Sequence, residues 1–327
     1  MRKIGIIGAG TWGMALAIYL ANLGNEVKVW SNTEEEKDII NNEKRCKNLP
    51  KAIVPKKVLA TTSYKEAIEG TEIILHVTPS KFVRENVVKY KQFVTNQPIV
   101  MCSKGFESST LCTLAEVLEE ELPRNKIGVL SGPSHAEEVS LNVPTAIVAA
   151  SKDGELLKMM QEIFMSKHLR IYISRDVKGV ELGGALKNII AFCAGAVAGL
   201  GMGDNTFAAL ITRGLAEISR LGVELGGAQS TFYGLAGLGD LIVTCMSEHS
   251  RNRRAGVLIG QGKTLEETRQ IVGMTIESID NIEIAYRLAK KYNVNVPIID
   301  TVYDVLYNNL EPKKAVEKLM TREPKTE

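Results

Sequence analysis

The sequence is short of the features that would mark a nucleic-acid, membrane or secreted protein. Its 327 residues carry 40 Lys and Arg against 38 Asp and Glu, leaving a net charge of only +2. That balance offers no broad basic field to a nucleic acid or an anionic membrane, so any anion recognised here is met by local groups. No CxxC occurs; Cys46, Cys102, Cys112, Cys193 and Cys245 are scattered and mostly sit inside apolar runs. The pattern reads as buried thiols in a reducing compartment, with neither a disulfide framework nor a metal site expected. Signal-peptide character is also missing, because Met1-Arg2-Lys3 passes straight into a strand-like segment with no cleavage site, and the cytoplasm is the expected location. What remains is ordinary soluble composition, 45% hydrophobic and 24% charged. The length predicts roughly two domains.

The first of these begins with Lys3–Ile7 (KIGII), an isoleucine-rich run expected of a buried parallel strand. Gly8-Ala9-Gly10-Thr11-Trp12-Gly13 follows, a GxGxxG leading into a helical pattern and then a second strand, Glu26–Trp30. Strand, glycine turn, helix and strand form the context in which this motif binds a dinucleotide. Gly8 allows the tight turn, Gly10 the approach of a pyrophosphate, and Gly13 the packing of helix on strand, while the helix N-terminus offers amides to the anion. Further strands are predicted at Glu72–Thr78, Pro98–Ser103, Lys126–Ser131, Thr145–Ala150 and Leu169–Ser174, most of them separated by helical patterns. The alternation predicts a Rossmann-like α/β domain, a mostly parallel sheet with helices on both faces. Ligands of such sheets bind beyond the C-terminal strand ends. That directs attention to Thr78-Pro79-Ser80, to Lys104-Gly105-Phe106 and to Gly132-Pro133-Ser134-His135-Ala136.

One absence bears on the cofactor. The second strand ends Trp30-Ser31-Asn32-Thr33, with no Asp or Glu for a ribose 2′-hydroxyl and no Arg for a 2′-phosphate. Polar groups at Ser31, Asn32 and Thr33 suit either NADH or NADPH. The missing acid leans the reading toward NADPH, with Glu34–Glu36 taken as the solvated first turn of the next helix.

Strand signals stop after Ser174, and an all-helical domain is expected, giving residues 1–178 for the dinucleotide and 179–327 for substrate and catalysis. The polar tail Thr321–Glu327 is expected to fray. Within VELGGALKNIIAFCAGAVAGLGMGD, Val180–Asp204, Lys187 is the one charge between Glu181 and Asp204. It is either a surface lysine on an amphipathic helix or a buried one presented to a site. The run nears spanning length, yet its Lys, Asn and many Gly make a poor membrane span, whereas Ala and Gly suit close helix packing. Asp240 ends the glycine-rich Gly234–Gly239 approach and reads either as a helix cap or as a partner of Lys187. Ser250-Arg251-Asn252-Arg253-Arg254 reads as a solvated basic face or as a phosphate cradle at a helix N-terminus.

With these blocks assembled, the sequence resembles bacterial-type NAD(P)-dependent glycerol-3-phosphate dehydrogenases nearly end to end. GAGTWGMALA (Gly8–Ala17), SKGFE (Ser103–Glu107), SGPSHAEEV (Ser131–Val139), LGGALKNIIAFCAG (Leu182–Gly195), GLGDLIVTC (Gly237–Cys245) and SRNRRAG (Ser250–Gly256) carry the likeness. It implies interconversion of sn-glycerol 3-phosphate and glycerone phosphate for glycerophospholipid synthesis. Lys187 is then the proton donor and acceptor. The substrate is bordered by Lys104, Gly132, Ser134, Asp240, Ser250, Arg251 and Asn252. The cofactor meets Gly8, Gly10, Thr11, Trp12, Gly13, Asn32, Lys104, Ala136, Arg251, Thr275 and Glu277. The chain departs from the family in having Ser278 where a Gly is more usual and no Arg after the second strand. A homodimer fits the resemblance, though no interface is legible. The competing readings are a related two-domain dehydrogenase of a 3-hydroxy acid or sugar-acid phosphate, and a nucleotide-sensing regulator without chemistry.

Overall fold

The computed structural model describes residues 1–324 and 326. Its first half alternates strand and helix. β1 (Lys3–Ile7), α1 (Thr11–Asn22), β2 (Glu26–Trp30), α2 (Glu34–Asp38), β3 (Val58–Thr61), α3 (Tyr64–Ile68) and β4 (Ile73–His76) come first. They are followed by α4 (Val83–Tyr90), β5 (Ile99–Met101), α5 (Leu114–Glu121), β6 (Ile127–Ser131), α6 (Ala136–Ser140), β7 (Thr145–Ser151), α7 (Gly154–Phe164) and β8 (Leu169–Ser174). The strands form one sheet in the order β3-β2-β1-β4-β5-β6-β7-β8. All neighbours run parallel except β6 and β7.

Side-chain alternation along β1 explains why helices cover both faces. Ile4 and Ile6 pack in the core with Met14, Leu16 and Ile18 of α1. Gly5 faces the other way, where a Cβ would lie 2.7 Å from the Ala67 carbonyl oxygen of α3. The order reverses between β1 and β4, and the crevice beyond such a reversal is where ligands bind. β6 and β7 are antiparallel, so the connection holding Gly132 and α6 stays at the same end of the sheet. Sequence pattern alone missed β3, a four-residue edge strand whose Leu59 faces solvent and which lacks a continuous apolar run.

Helices make up the rest: α8 (Val177–Gly199), α9 (Asp204–Glu224), α10 (Gln229–Phe232), α11 (Asp240–Met246), α12 (Arg251–Gly260), α13 (Leu265–Val272), α14 (Glu277–Lys291), α15 (Pro297–Tyr307) and α16 (Pro312–Met320). The chain divides into compact units at Met1–Glu181 and Leu182–Glu327, within α8. The second unit has no strand among the described residues. Two residues of the polar tail, 325 and 327, lie outside the described ones. α8 is long and apolar enough to span a membrane, but 78% of its most apolar window is buried inside the protein. Its small residues let α12 approach closely: a Cβ on Gly256 would lie 1.9 Å from the Phe192 carbonyl oxygen, and one on Gly195 2.0 Å from that of Arg253.

Two buried carboxyls from elsewhere in the chain accept amides in the first turn of a helix. Glu181 accepts the Ala115 N–H of α5 at 2.7 Å, and Glu217 accepts the Ile298 and Ile299 N–H groups of α15 at 2.9 and 2.7 Å. Burial pushes each up to about 7. A carboxyl raised by folding stabilises the fold fully below its ordinary value of 4.5, and that contribution is lost as pH rises through about 7. Glu181→Gln keeps the acceptor and removes the ionisation. Its unfolding free energy in urea should match that of the parent below about pH 4.5 and exceed it near pH 8, by on the order of 2–3 kcal/mol. An offset independent of pH would show that Glu181 does not titrate in this way.

Candidate active site

In the first unit the glycine turn is shaped by backbone approach. Gly8 has φ +121°, and its N–H donates to the Trp30 carbonyl oxygen of β2 at 3.1 Å. A Cβ on Gly13 would lie 1.9 Å from the Gly8 carbonyl oxygen, so α1 starts against the turn only because that position carries hydrogen. Around Gly10 the direction of a Cβ is open, with nothing within 4 Å. Gly10 is the N-cap of α1 and provides no side-chain cap, so the first-turn amides beside the partly exposed Thr11 and Trp12 are available to an anion. This cradle fits a dinucleotide pyrophosphate. Asn32 stands exposed beyond β2.

Two further strand ends bring predicted residues together. Lys104, after β5, donates from Nζ to the Gly132 carbonyl oxygen after β6 at 3.2 Å, and Ser134 Oγ donates to the same oxygen at 3.0 Å. Gly132 has φ +132° and packs on Ile147 of β7, where a Cβ would meet Cα at 3.1 Å. Ala136 opens α6 and is buried, while His135 occupies the N-cap position. At the end of β4, burial holds His76 down to about 3, which keeps its ring neutral between Tyr90 Oη at 3.0 Å and Thr78 Oγ1 at 2.7 Å. Neutral and enclosed, His76 fixes Thr78 instead of exchanging protons.

The second unit holds the other group. Lys187 is 5% exposed and Asp240 1%. The Lys187 ammonium donates to Asp240 Oδ1, and also to Thr244 Oγ1 at 2.6 Å; that hydroxyl in turn donates to the Asp240 carbonyl oxygen at 2.6 Å. Of the two sequence readings the structure has the buried one. Burial disfavours the charged form of a lysine, and the adjoining carboxylate opposes that cost. Nearby Cys245 has its thiol pushed up to about 12 by burial, which leaves it unreactive beside the pair.

α12 begins at the predicted basic block. Ser250 Oγ caps it by accepting the Arg253 N–H at 3.2 Å. Arg251 Nη1 donates to the Thr275 carbonyl oxygen at 3.2 Å, and Asn252 Oδ1 accepts the Ser278 N–H at 3.0 Å. Ser278 is buried, and its Oγ finds no partner among the described residues. Asn188, next to the lysine, donates from Nδ2 to Glu277 Oε2 at 3.2 Å. Hydrogen bonds thus tie Thr275, Glu277 and the Ser250–Asn252 corner to each other and to α8. Sequence reasoning missed Thr244 and Asn188. Their signals were four-residue spacing from Asp240 on one helix face and adjacency to Lys187. A cavity of about 670 Å³ opens elsewhere in this unit, between α9, α15 and α16, and none of these residues line it. The polar cluster is the candidate site, since an ammonium can give or take a proton there and a guanidinium with a helix N-terminus can hold an anion.

Comparison with known proteins bears on this arrangement. The family profile described as NAD-dependent glycerol-3-phosphate dehydrogenase N-terminus matches residues 3–157, and its C-terminus counterpart matches residues 176–317. A Fusobacterium nucleatum protein named glycerol-3-phosphate dehydrogenase (NAD(P)+) is 49% identical, over 100% of this chain and 99% of its own. An Agathobacter rectalis protein of the same name is 46% identical, over 100% and 98%. Among solved structures, the glycerol-3-phosphate dehydrogenase of Coxiella burnetii superposes with a TM-score of 0.94 at 38% identity, covering 98% of this chain and 99% of that one.

The buried pair gives a test that needs no substrate. Asp240→Asn leaves the Lys187 ammonium without its counter-charge and should lower the unfolding free energy by about 3–5 kcal/mol. Adding Lys187→Met removes the stranded charge and should return much of that loss. Urea unfolding measures both. Stability for Asp240→Asn within about 0.5 kcal/mol of the parent would mean that the pair is not charged in the folded chain.

Proposed function

The chain belongs to the NAD-dependent glycerol-3-phosphate dehydrogenase family, and we propose that Lys187 is the acid and base of its reaction. The protein is an NAD(P)-dependent oxidoreductase interconverting sn-glycerol 3-phosphate and glycerone phosphate, a step that serves glycerophospholipid synthesis. The observation that carries the role of Lys187 is its burial against Asp240 and Thr244. A surface lysine would need neither partner.

When bound, NADH or NADPH supplies a hydride to the carbonyl carbon. Lys187 protonates the carbonyl oxygen as negative charge develops there, and removes that proton in the reverse direction. Asp240 keeps the amine protonated and aimed, and Thr244 fixes a second N–H. Arg251 and the N-terminus of α12 hold the phosphate, with Ser250 and Asn252 shaping the corner. Binding energy from this remote group orients the carbonyl. Lys104, Gly132 and Ser134 border the substrate as well. The dinucleotide rests on Gly8, Gly10, Thr11, Trp12 and Gly13, with Asn32, Lys104, Ala136, Arg251, Thr275 and Glu277 as its other contacts. Residues 1–178 thus serve the cofactor, and residues 179–327 serve substrate and catalysis. A cytoplasmic homodimer is the proposed form, on the strength of family resemblance.

Lys187→Ala should lower kcat by about 10²-fold or more while the NADH dissociation constant stays near that of the parent. Turnover near the parental rate would remove Lys187 from the mechanism. Arg251→Ala should raise KM for glycerone phosphate by about tenfold or more. The parent enzyme should reduce unphosphorylated dihydroxyacetone poorly. Equal kcat/KM for the two ketones would overturn the phosphate cradle.

A further inference from the structure

Recognition of a ribose 2′-hydroxyl ordinarily falls to an acid at the end of β2, and this chain has Ser31 there. The structure brings a carboxylate to the same place from another element. Ser31 Oγ is buried and donates to Glu36 Oε2 at 2.7 Å, a shorter contact than its 3.2 Å to the Thr33 carbonyl oxygen. Thr33 Oγ1 accepts the Glu36 N–H at 3.2 Å, as N-cap of α2. Together these bonds fold Glu36 back five residues onto the strand end. Its Oε1 has no hydrogen-bond partner among the described residues.

The neighbouring acids are each paired with a lysine, and Glu35 and its partner Lys47 line the same cavity as Glu36. Glu34 is taken by Lys37 and by Thr62 Oγ1, and Glu35 by Lys47 at 2.7 Å. Glu36 lines a small cavity of about 200 Å³ together with Thr33 and Arg45. Arg45 is the group that would favour a 2′-phosphate. It is exposed and makes no hydrogen bond or ion pair among the described residues, so nothing anchors it, whereas Glu36 is held by two bonds.

We propose that Glu36 reads the 2′ position of the adenosine ribose, accepting a hydrogen bond from the hydroxyl of NADH and repelling the phosphate of NADPH. This reverses the lean toward NADPH that the bare strand end suggested, and it rests on the dinucleotide reading of the Gly8–Gly13 turn. An unpaired carboxylate beside a phosphate dianion is a repulsive element, the usual way such discrimination is built.

Calorimetric titration with ADP-ribose and with 2′-phospho-ADP-ribose tests the proposal without turnover. The parent protein should bind ADP-ribose tighter by about tenfold or more, the size expected of one hydrogen bond to a charged group. Glu36→Gln should bring the two ligands close to parity, and Glu34→Gln, whose side chain lies outside that cavity, should leave the ratio unchanged. Should Glu36→Gln fail to fold, Ser31→Ala releases the carboxylate from its anchor and should narrow the ratio instead. A parental preference for the phosphorylated ligand overturns the proposal, as does a ratio unmoved by these Glu36 and Ser31 variants or equally moved by Glu34→Gln. If neither ligand binds the parent, the dinucleotide site itself falls and Glu36 with it.

Discussion

A charge shut away from water must have its partners brought to it, and Lys187 shows how much of the helical unit answers to that demand. The ammonium lies on α8, while its carboxylate and hydroxyl lie on α11, 53 and 57 residues away in sequence. They meet because the backbones close to distances that only glycine permits. A Cβ on Gly183 would sit 2.6 Å from the Ala236 carbonyl oxygen, so the Leu235–Gly239 turn presses onto α8 and delivers Asp240 at its end. Gly195 and Gly256 do the same for α12 and thereby position Ser250, Arg251 and Asn252. The ion pair itself contributes little net stability, since desolvation offsets most of its attraction. Packing carries it. Leu186, Ile189, Ile190 and Phe192 are fully buried on the same helix, each worth about 1.5–3 kcal/mol against exposure.

The first unit meets an anion by different means. At its glycine turn the N-terminus of α1 offers main-chain amides, and Gly13 against Gly8 brings them into place. A chain with a net charge of +2 can therefore recognise anionic molecules without a basic surface. Both units use the same device: a missing side chain lets backbone come where charge or amides are required.

Some of this was legible in the residues. α13 and α16 have ends that are written locally: Thr264 and Glu267 form a capping box, Gly273 takes a left-handed turn, and Pro312 starts α16. The GxGxxG was readable because each glycine answers a separate steric need. Long-range pairings were less so: Asp240 as the partner of Lys187 was one of two sequence readings, and the structure has that one, whereas no local rule carries Asn188 to Glu277. Glu36 looked like one of three solvated acids, and only the backbone turn at Thr33 brings it to Ser31. β3 was hidden for a related reason: an edge strand of four residues takes its structure from β2, with too little apolar pattern of its own.

The pairing also bears on direction in the role proposed for Lys187. A group that protonates an oxygen one way and deprotonates it the other works best when its two forms lie close in energy. Burial raises the energy of the ammonium, and Asp240 with Thr244 lowers it again. Both influences act on one buried side chain: α8 supplies the apolar surroundings, and the glycine-lined approach of α11 brings the carboxylate and hydroxyl that oppose them.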